Sequence, residues 1–408
     1  MRALKFLPPV VLVLIAAGCG TNKLAGPASQ DEPTVGRSAT LRAVGTELPA
    51  SLQGEGGASV SGEIGPGSSY FLHVPENWNG DLVLYVHGYT APVFPLGPPP
   101  TEPVDALRDQ ILARGSAFGY STFSENGYAL RDAAQRTQQL LGVFSSRFEP
   151  PRRAYLLGYS LGGLAALSLL ERNDSFAGAV TVSGILGGTR RELEYVGNVW
   201  VLFDLLYPNV LPWTLYEAPP VFDPNEIIGP VVAAIQANPQ PAQVLTQIHQ
   251  TPIPFSNGEE FVASIVQALV LQAIAVRDLL DRTHDHAFFD NSGTTYTGNL
   301  PPELLADINA RVARYASRPD AKAWARQQYE PSGNLRVPLI SLHMQLDPVV
   351  PIFHEDVYEE RVTQAGLESF FLRRDIPGYG HPVAAVEPVV QAIADVANWV
   401  ETGVRPPQ

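Results

Sequence analysis

Ala154-Tyr155-Leu156-Leu157-Gly158-Tyr159-Ser160-Leu161-Gly162-Gly163-Leu164-Ala165-Ala166-Leu167 is an apolar run that breaks around one serine and resumes with helical spacing. It reads as a buried strand, a sharp turn and a helix, with Ser160 at the tip of the turn. A serine there is forced into a strained backbone conformation, and only small neighbours at Gly158 and Gly162 leave room for strand and helix to pack that closely. Such a turn pushes the hydroxyl out of the sheet edge. The pentapeptide Gly-x-Ser-x-Gly also arises by chance, so the strand before it and the helix after it are what give it meaning.

Outward from this stretch the chain alternates strands with helices. Upstream, Val60-Gly62-Ile64 and Tyr70 to Val74 flank the turn Gly65-Pro66-Gly67-Ser68, an opening hairpin. Asp81 to Val86 is a continuous apolar strand of the kind buried on both faces in a parallel sheet, ending at His87-Gly88-Tyr89. Six prolines between Pro92 and Pro103 favour a stiff extended loop beside that strand end. A helix over Val104 to Arg114, a strand over Ala117 to Phe123 and a long helix over Tyr128 to Phe148 lead into the central stretch, and Phe176 to Val182 is the next strand.

From Gly187 to Pro331 helical segments follow one another without a convincing parallel strand. The longest, Glu259 to Arg282, is apolar over more than one face, which fits either the inner packing of a cap or a wall over an apolar pocket. Trp200, Phe203, Tyr207, Trp213 and Tyr216 carry the same ambiguity. Apart from the N-terminal segment, no apolar run reaches bilayer-spanning length without interruption. The alternation resumes with a strand over Val337 to His343, a helix over Phe353 to Ala365, a strand over Glu368 to Asp375 and a final helix to Glu401. The expected architecture is α/β: a mostly parallel sheet covered by helices at 58–186 and 332–408, with a helical cap at 187–331 inserted between the two halves.

Serine-based acyl transfer needs a base to take the hydroxyl proton, an acid to orient that base and donors for the oxyanion that forms. His381 lies in the loop Pro377-Gly378-Tyr379-Gly380-His381-Pro382 after the last strand, and Asp347 follows the strand before it in Leu346-Asp347-Pro348-Val349-Val350-Pro351. With Val86-His87-Gly88-Tyr89 and Gly158-Tyr159-Ser160-Leu161-Gly162-Gly163, these motifs resemble the α/β-hydrolase superfamily of serine hydrolases over Val60 to Glu401, the cap excepted. The resemblance implies Ser160 as nucleophile, His381 as base, Asp347 as its orienting acid, and the backbone amides of Tyr89 and Leu161 as an oxyanion hole. His87, Gly88, Tyr159 and Asn126 are further candidates for the cleft or its surroundings. His87 reads first as packing under the oxyanion loop, and Asn126 as either a helix cap or a cleft residue. His343 reads as a core histidine. The segment Asn398-Trp399-Val400-Glu401-Thr402-Gly403 is similar to the last helix of some secreted esterases of the feruloyl-esterase and tannase kind.

His284-Asp285-His286 with Asp290 suggests a turn rather than a metal site, because two histidines at i and i+2 share a face only on a strand and no third ligand is fixed by spacing. No metal or cofactor is implied. The expected activity is hydrolysis of a small carboxylic ester through an acyl-enzyme. A peptidase of the same fold is the alternative, in which Glu192, Glu194, Glu217, Glu226, Glu259 or Glu260 would hold a peptide terminus. A catalytically silent binding protein is the third reading.

The N-terminus carries Arg2 and Lys5, an apolar segment from Val10 to Ala17, and Ala16-Ala17-Gly18 before Cys19, the only cysteine. This pattern is a secretory signal. Its ending resembles a bacterial lipoprotein signal, which implies cleavage of 1–18, a lipid on Cys19, and a cell-envelope location with the outer membrane favoured by Gly20. An ordinary signal with a coincidental cysteine is the alternative. Residues 19–57, rich in Gly, Pro, Ser, Thr and Ala, read as a flexible tether. With 27 basic and 41 acidic residues the net charge is -14, which argues against nucleic acid as a partner; loss of Arg2 and Lys5 takes it to 25 minus 41, or -16.

Overall fold

The computed structural model describes residues 57–219, 221–285, 287–381 and 385–408. The expected signal, Cys19 and the tether up to residue 56 therefore lie outside the described residues, as does His286. The chain begins with the antiparallel hairpin β1 (Gly57–Glu63) and β2 (Ser69–Pro75). There follow β3 (Asp81–Val86), α1 (Val104–Ala113), β4 (Ala117–Ser121), α2 (Leu130–Arg147), β5 (Arg153–Tyr159), α3 (Leu161–Arg172) and β6 (Gly178–Val182). Six helices come next: α4 (Thr189–Leu206), α5 (Asn225–Ala237), α6 (Gln240–Leu245), α7 (Gly258–Arg282), α8 (Pro302–Arg311) and α9 (Pro319–Gln327). β7 (Leu339–Leu346), α10 (Phe353–Ala365), β8 (Phe371–Tyr379) and α11 (Val386–Thr402) complete it.

The eight strands form one sheet in the order β1-β2-β4-β3-β5-β6-β7-β8. β2 runs antiparallel to both neighbours, and every pairing from β4 to β8 is parallel. That order, with the second strand reversed and the sharp turn at Ser160 after β5, is the α/β-hydrolase fold. The buried central strands follow from composition. All six residues of β3 are buried, with Leu82, Leu84 and Val86 facing one layer and Val83 and Tyr85 the other. The second layer joins Leu157, Tyr159, Val180 and Val182 to Leu107 and Ile111 of α1 and to Val389, Ile393, Val396 and Trp399 of α11. Each such side chain contributes about 1.5–3 kcal/mol by leaving water. The first layer runs through α2 and α3 into the helices between β6 and β7 without a break.

Several boundaries differ from expectation by a few residues, and three of them bear on the site. The α2 helix starts two residues late, because Ala129 has a non-helical backbone (φ −87°, ψ 35°); the Tyr128 N–H before it is held by the Asp278 carboxylate at 2.7 Å. The last strand begins at Phe371, after a 3-10 turn over Glu368–Phe370, and runs on to Tyr379. Its partner β7 likewise runs beyond His343, kept in the sheet by Met344 opposite Ile376 and Leu346 opposite Tyr379. These extensions carry the chain to the doorstep of Asp347 and His381.

The α7 helix resolves its ambiguity by using two faces. Ile265, Val266, Ala268, Leu269, Ala273 and Val276 are buried against the other inserted helices, while Gln267, Val270, Leu271, Ile274, Ala275 and Leu279 line a cavity. The second set recurs at three- and four-residue steps, one helical stripe. By length and composition α7 is also apolar enough to cross a bilayer, unlike the expectation from uninterrupted runs; 61% of that window is buried in protein. Trp200, Phe203, Tyr207, Trp213 and Tyr216 belong to the core or pack on it, and none lines the cavity.

Candidate active site

At the end of β5, Ser160 adopts φ 51°, ψ −121°, a conformation that L-residues rarely take. Backbone contact at the turn makes it possible. A Cβ on Gly162 would lie 2.0 Å from the Val86 carbonyl oxygen, and one on Gly158 would lie 2.4 Å from the Gly162 carbonyl oxygen. Neither backbone atom can step aside, so glycine is required at both positions.

His381 Nε2 stands 2.9 Å from Ser160 Oγ, and His381 Nδ1 stands 2.7 Å from Asp347 Oδ2. Asp347 is fully buried, and its other oxygen, Oδ1, accepts the Val349 and Val350 N–H groups at 2.9 Å each. A carboxylate can only accept, so the imidazole proton sits on Nδ1 and Nε2 offers its lone pair to the serine hydroxyl. The three side chains come from the ends of β5, β7 and β8, far apart in sequence and adjacent at one edge of the sheet.

Behind Asp347 lies a second buried group. His343 Nδ1 is 2.8 Å from Glu355 Oε1, His343 Nε2 is 2.8 Å from the Val350 carbonyl oxygen, and the same nitrogen is 3.9 Å from Asp347 Oδ2. Burial opposes a charge on this ring, but the Glu355 hydrogen bond and the charges of Glu355 and Asp347 outweigh it and raise its pKa. The core histidine expected from sequence is thus tied to the loop that carries Asp347.

The Tyr89 and Leu161 peptide N–H groups have no acceptor among the described residues, and both residues line the cavity beside Ser160. Glu102 is one residue sequence reasoning missed. Its Oε1 accepts the Gly88 N–H at 2.8 Å, and its Oε2 accepts the Tyr85 hydroxyl. Burial raises this carboxyl to about 8. As the only charged residue in the Pro92 to Pro103 segment, it carried a signal that could have been read.

The other candidates separate. Buried His87 stacks on Phe123 with ring centroids 3.8 Å apart and donates Nδ1–H to the Gly88 carbonyl at 2.9 Å, and burial lowers its pKa to about 4. It packs under the loop, as expected. Tyr159 does not line the cleft: its fully buried ring faces the layer on the far side of the sheet and packs on Tyr85 at 5.6 Å, because alternate residues of β5 point to opposite faces. Asn126 is neither helix cap nor main-cavity residue. Its Nδ2 donates to the Phe94 and Pro95 carbonyls at 2.8 and 3.1 Å and braces the proline-rich loop, while Ala129 precedes α2. His284 and Asp285 both have positive φ, as a turn requires, and among the described residues no group of three or more His, Cys, Asp or Glu is arranged to hold a metal ion.

The cavity in front of Ser160 and His381 measures about 450 Å³. Its walls are chiefly Phe94, Leu193, Val196, Ile228, Val270 and Ile274. At ~30 Å³ per water-sized unit it holds on the order of fifteen such units, the scale of a small organic substrate. α7 is pinned to both loops that frame this space. In its first half, Gln267 Nε2 donates to the Tyr379 hydroxyl at 3.0 Å, two residues before His381. Near its end, Asp278 accepts the Tyr128 N–H, and Arg282 donates to the Asn126 carbonyl at 2.7 Å. Neither tie was legible in advance.

No protein-family model and no curated protein matches the chain. Solved structures do resemble it. Feruloyl esterase B from Aspergillus oryzae is 16% identical, with 86% of this chain and 81% of that one covered and a TM-score of 0.46. Est1E from Butyrivibrio proteoclasticus is 13% identical, with 85% and 99% covered and a TM-score of 0.39. The acylaminoacyl peptidase of Pyrococcus horikoshii is 10% identical, with 87% of this chain covered and a TM-score of 0.44; the match spans 43% of the peptidase's length. The strand order and the turn at Ser160, rather than these likenesses, identify the α/β-hydrolase fold.

Proposed function

We propose that this chain is a serine hydrolase that cleaves a carboxylic ester through an acyl-enzyme on Ser160. The observation that carries the reading is the continuous series from Ser160 Oγ through His381 to Asp347, opening on a largely apolar cavity. In the first half-reaction Ser160 Oγ attacks the ester carbonyl carbon while His381 Nε2 takes the hydroxyl proton. The carbonyl oxygen becomes an oxyanion that accepts from the Tyr89 and Leu161 N–H groups. The tetrahedral adduct then expels the alcohol, which leaves with the proton from His381. Water repeats the sequence: it gives a proton to Nε2, attacks the acyl carbon, and Ser160 leaves with that proton as the free acid departs. Asp347 remains ionised throughout and holds the imidazole in the tautomer the cycle needs.

Ser160→Ala tests this. Turnover of p-nitrophenyl butyrate and covalent labelling by a fluorophosphonate should both disappear while thermal unfolding is unchanged, and a mutant that still labels would refute the assignment. Residues 187–331 act in this reading as the cap that shapes the acyl site. A peptide substrate is the second reading, and the observation that favours it is Glu192, which lines the cavity; Glu194, Glu217, Glu226, Glu259 and Glu260 do not. We infer also that the chain is exported and held to the bacterial envelope by a lipid on Cys19. Ala16-Ala17-Gly18-Cys19 supports this, and incorporation of radiolabelled palmitate by wild type but not by Cys19→Ser is its test.

A further inference from the structure

Among the described residues lining the cavity there is no lysine or arginine, and Glu192, in the first turn of α4, is the only acidic one. The side chain is nearly buried, with 7% of its surface left exposed. Among the described residues its carboxylate makes one hydrogen bond, accepted by Oε2 from His354 Nε2 at 2.9 Å. The proton on that ring is placed by geometry: the Gly187 N–H points at His354 Nδ1 from 3.1 Å, so Nδ1 accepts and Nε2 carries the hydrogen. The partner of Glu192 is therefore a neutral imidazole, and Oε1 has no partner among the described residues. The cations next to it in sequence are turned outward, where Arg190 pairs with Glu194 at 2.7 Å and Arg191 pairs with Glu194 at 3.3 Å. A buried carboxyl with one hydrogen bond and no cation is costly to keep. Burial accordingly raises Glu192 to about 8, and a bound ammonium, the counter-charge the site lacks, would favour its ionised form.

A second cavity-lining group has the same character. Gln267 on α7 spends its Nε2 on Tyr379, and its buried Oε1 is left without a partner among the described residues. α4 and α7 thus each present an oxygen acceptor with capacity to spare, in a space whose other walls are chiefly aliphatic. The complement of such a wall is a hydrogen-bond donor.

We propose that Glu192 is the polar end of a substrate subsite, and that the preferred substrate carries an N–H or O–H donor that this carboxyl accepts inside the apolar cavity. The proposal rests on the hydrolase reading and specifies its substrate class. Ammonium and hydroxyl share the donor chemistry and differ in charge, and a group that only braced His354 would have no effect on the choice between substrates.

The test is two triples of methyl esters: leucine, 2-hydroxyisocaproate and 4-methylpentanoate, then 6-aminohexanoate, 6-hydroxyhexanoate and hexanoate. Wild type should favour a donor-bearing member over its plain analogue by about 10- to 100-fold in kcat/KM in at least one triple. Glu192→Leu should bring that ratio to about one. Glu192→Gln should keep a hydroxyl preference, since the amide oxygen still accepts, and lose an ammonium preference, since the charge is gone. Ratios near one for wild type in both triples, or a wild-type ratio that survives in Glu192→Leu, overturn the proposal. Fluorophosphonate labelling of Ser160 is read in parallel. Labelling without donor preference overturns the subsite alone, and absence of both labelling and turnover overturns the hydrolase reading with it.

Discussion

Asp347→Asn isolates the tautomer argument. The new amide has one oxygen and one NH2 where two carboxylate oxygens stood. Oδ1 faces two peptide donors, Val349 and Val350, at 2.9 Å each, and Oδ2 faces His381 Nδ1 at 2.7 Å. Placing the NH2 toward the peptides would leave two buried N–H groups unsatisfied, at roughly 1–3 kcal/mol each. The amide oxygen therefore takes the Oδ1 site, and the NH2 donates to His381 Nδ1. That forces the imidazole proton onto Nε2, 2.9 Å from Ser160 Oγ, where a lone pair is needed. The same change in a chymotrypsin-like peptidase lowers kcat by about 10⁴, which is ~5.4 kcal/mol at 1.36 kcal/mol per tenfold. A loss of that order in kcat for p-nitrophenyl butyrate, with KM within a few-fold and cooperative thermal unfolding retained, is the expected result. A folded mutant with kcat within tenfold of wild type would show that Asp347 does not set the tautomer.

Glu102→Leu should lower kcat by about 10- to 100-fold with little change in KM, because the Gly88 peptide loses its anchor and the adjacent Tyr89 N–H loses its aim. Glu102→Gln should restore most of the rate, as its amide oxygen can accept the Gly88 N–H, and equal rates for all three proteins would remove Glu102 from the oxyanion loop. Burial lowers His354 to about 3, so between pH 6.5 and 3 the unfolded chain binds a proton that the folded chain does not, and stability falls as pH falls, by up to about 1.4 kcal/mol per unit. His87, lowered by burial to about 4, acts in the same direction. Glu102 and Glu192, raised by burial to about 8, act in the opposite sense: between pH 4.5 and 8 the unfolded chain is ionised where the folded chain is not, so stability falls as pH rises. Urea unfolding of His354→Gln from pH 4 to 6 should show an acid limb shallower than wild type, and coincident slopes would refute the linkage.

The architecture was legible where a local pattern determines it. Asp81 to Val86 reads as a doubly covered strand from composition alone, and it and the helix expected over Phe353 to Ala365 both occupy the expected spans. The residues brought together at the β5, β7 and β8 ends could be named because each sits in a short motif with its own backbone demands. What escaped was pairing across distance. Nothing near Glu102 in sequence indicates that Gly88 lies above it, and nothing near Gln267 indicates Tyr379. Tyr159 lies outside the cavity although it adjoins Ser160 in the chain, because its ring enters the layer on the other side of the sheet. Six cap glutamates looked alike on paper. Helix rotation alone turns Glu192 inward and leaves Glu194 with the arginines outside.

The attachment of α7 at both ends bears on how selectivity would be expressed. A wall free to move would let a poorly fitting substrate settle with lower affinity and otherwise normal chemistry. Here the wall that lines the cavity also grips Tyr379, two residues from His381, and the loop at Asn126 and Tyr128. On the hydrolase reading, a misfit pressed against Val270 or Ile274 would be transmitted to His381 and to the loop beside it before the acyl carbon is attacked. Near-attack geometry tolerates shifts of well under an ångström, so discrimination among acyl groups would fall on turnover more than on saturation, and non-cognate esters would bind as competitive inhibitors that react slowly.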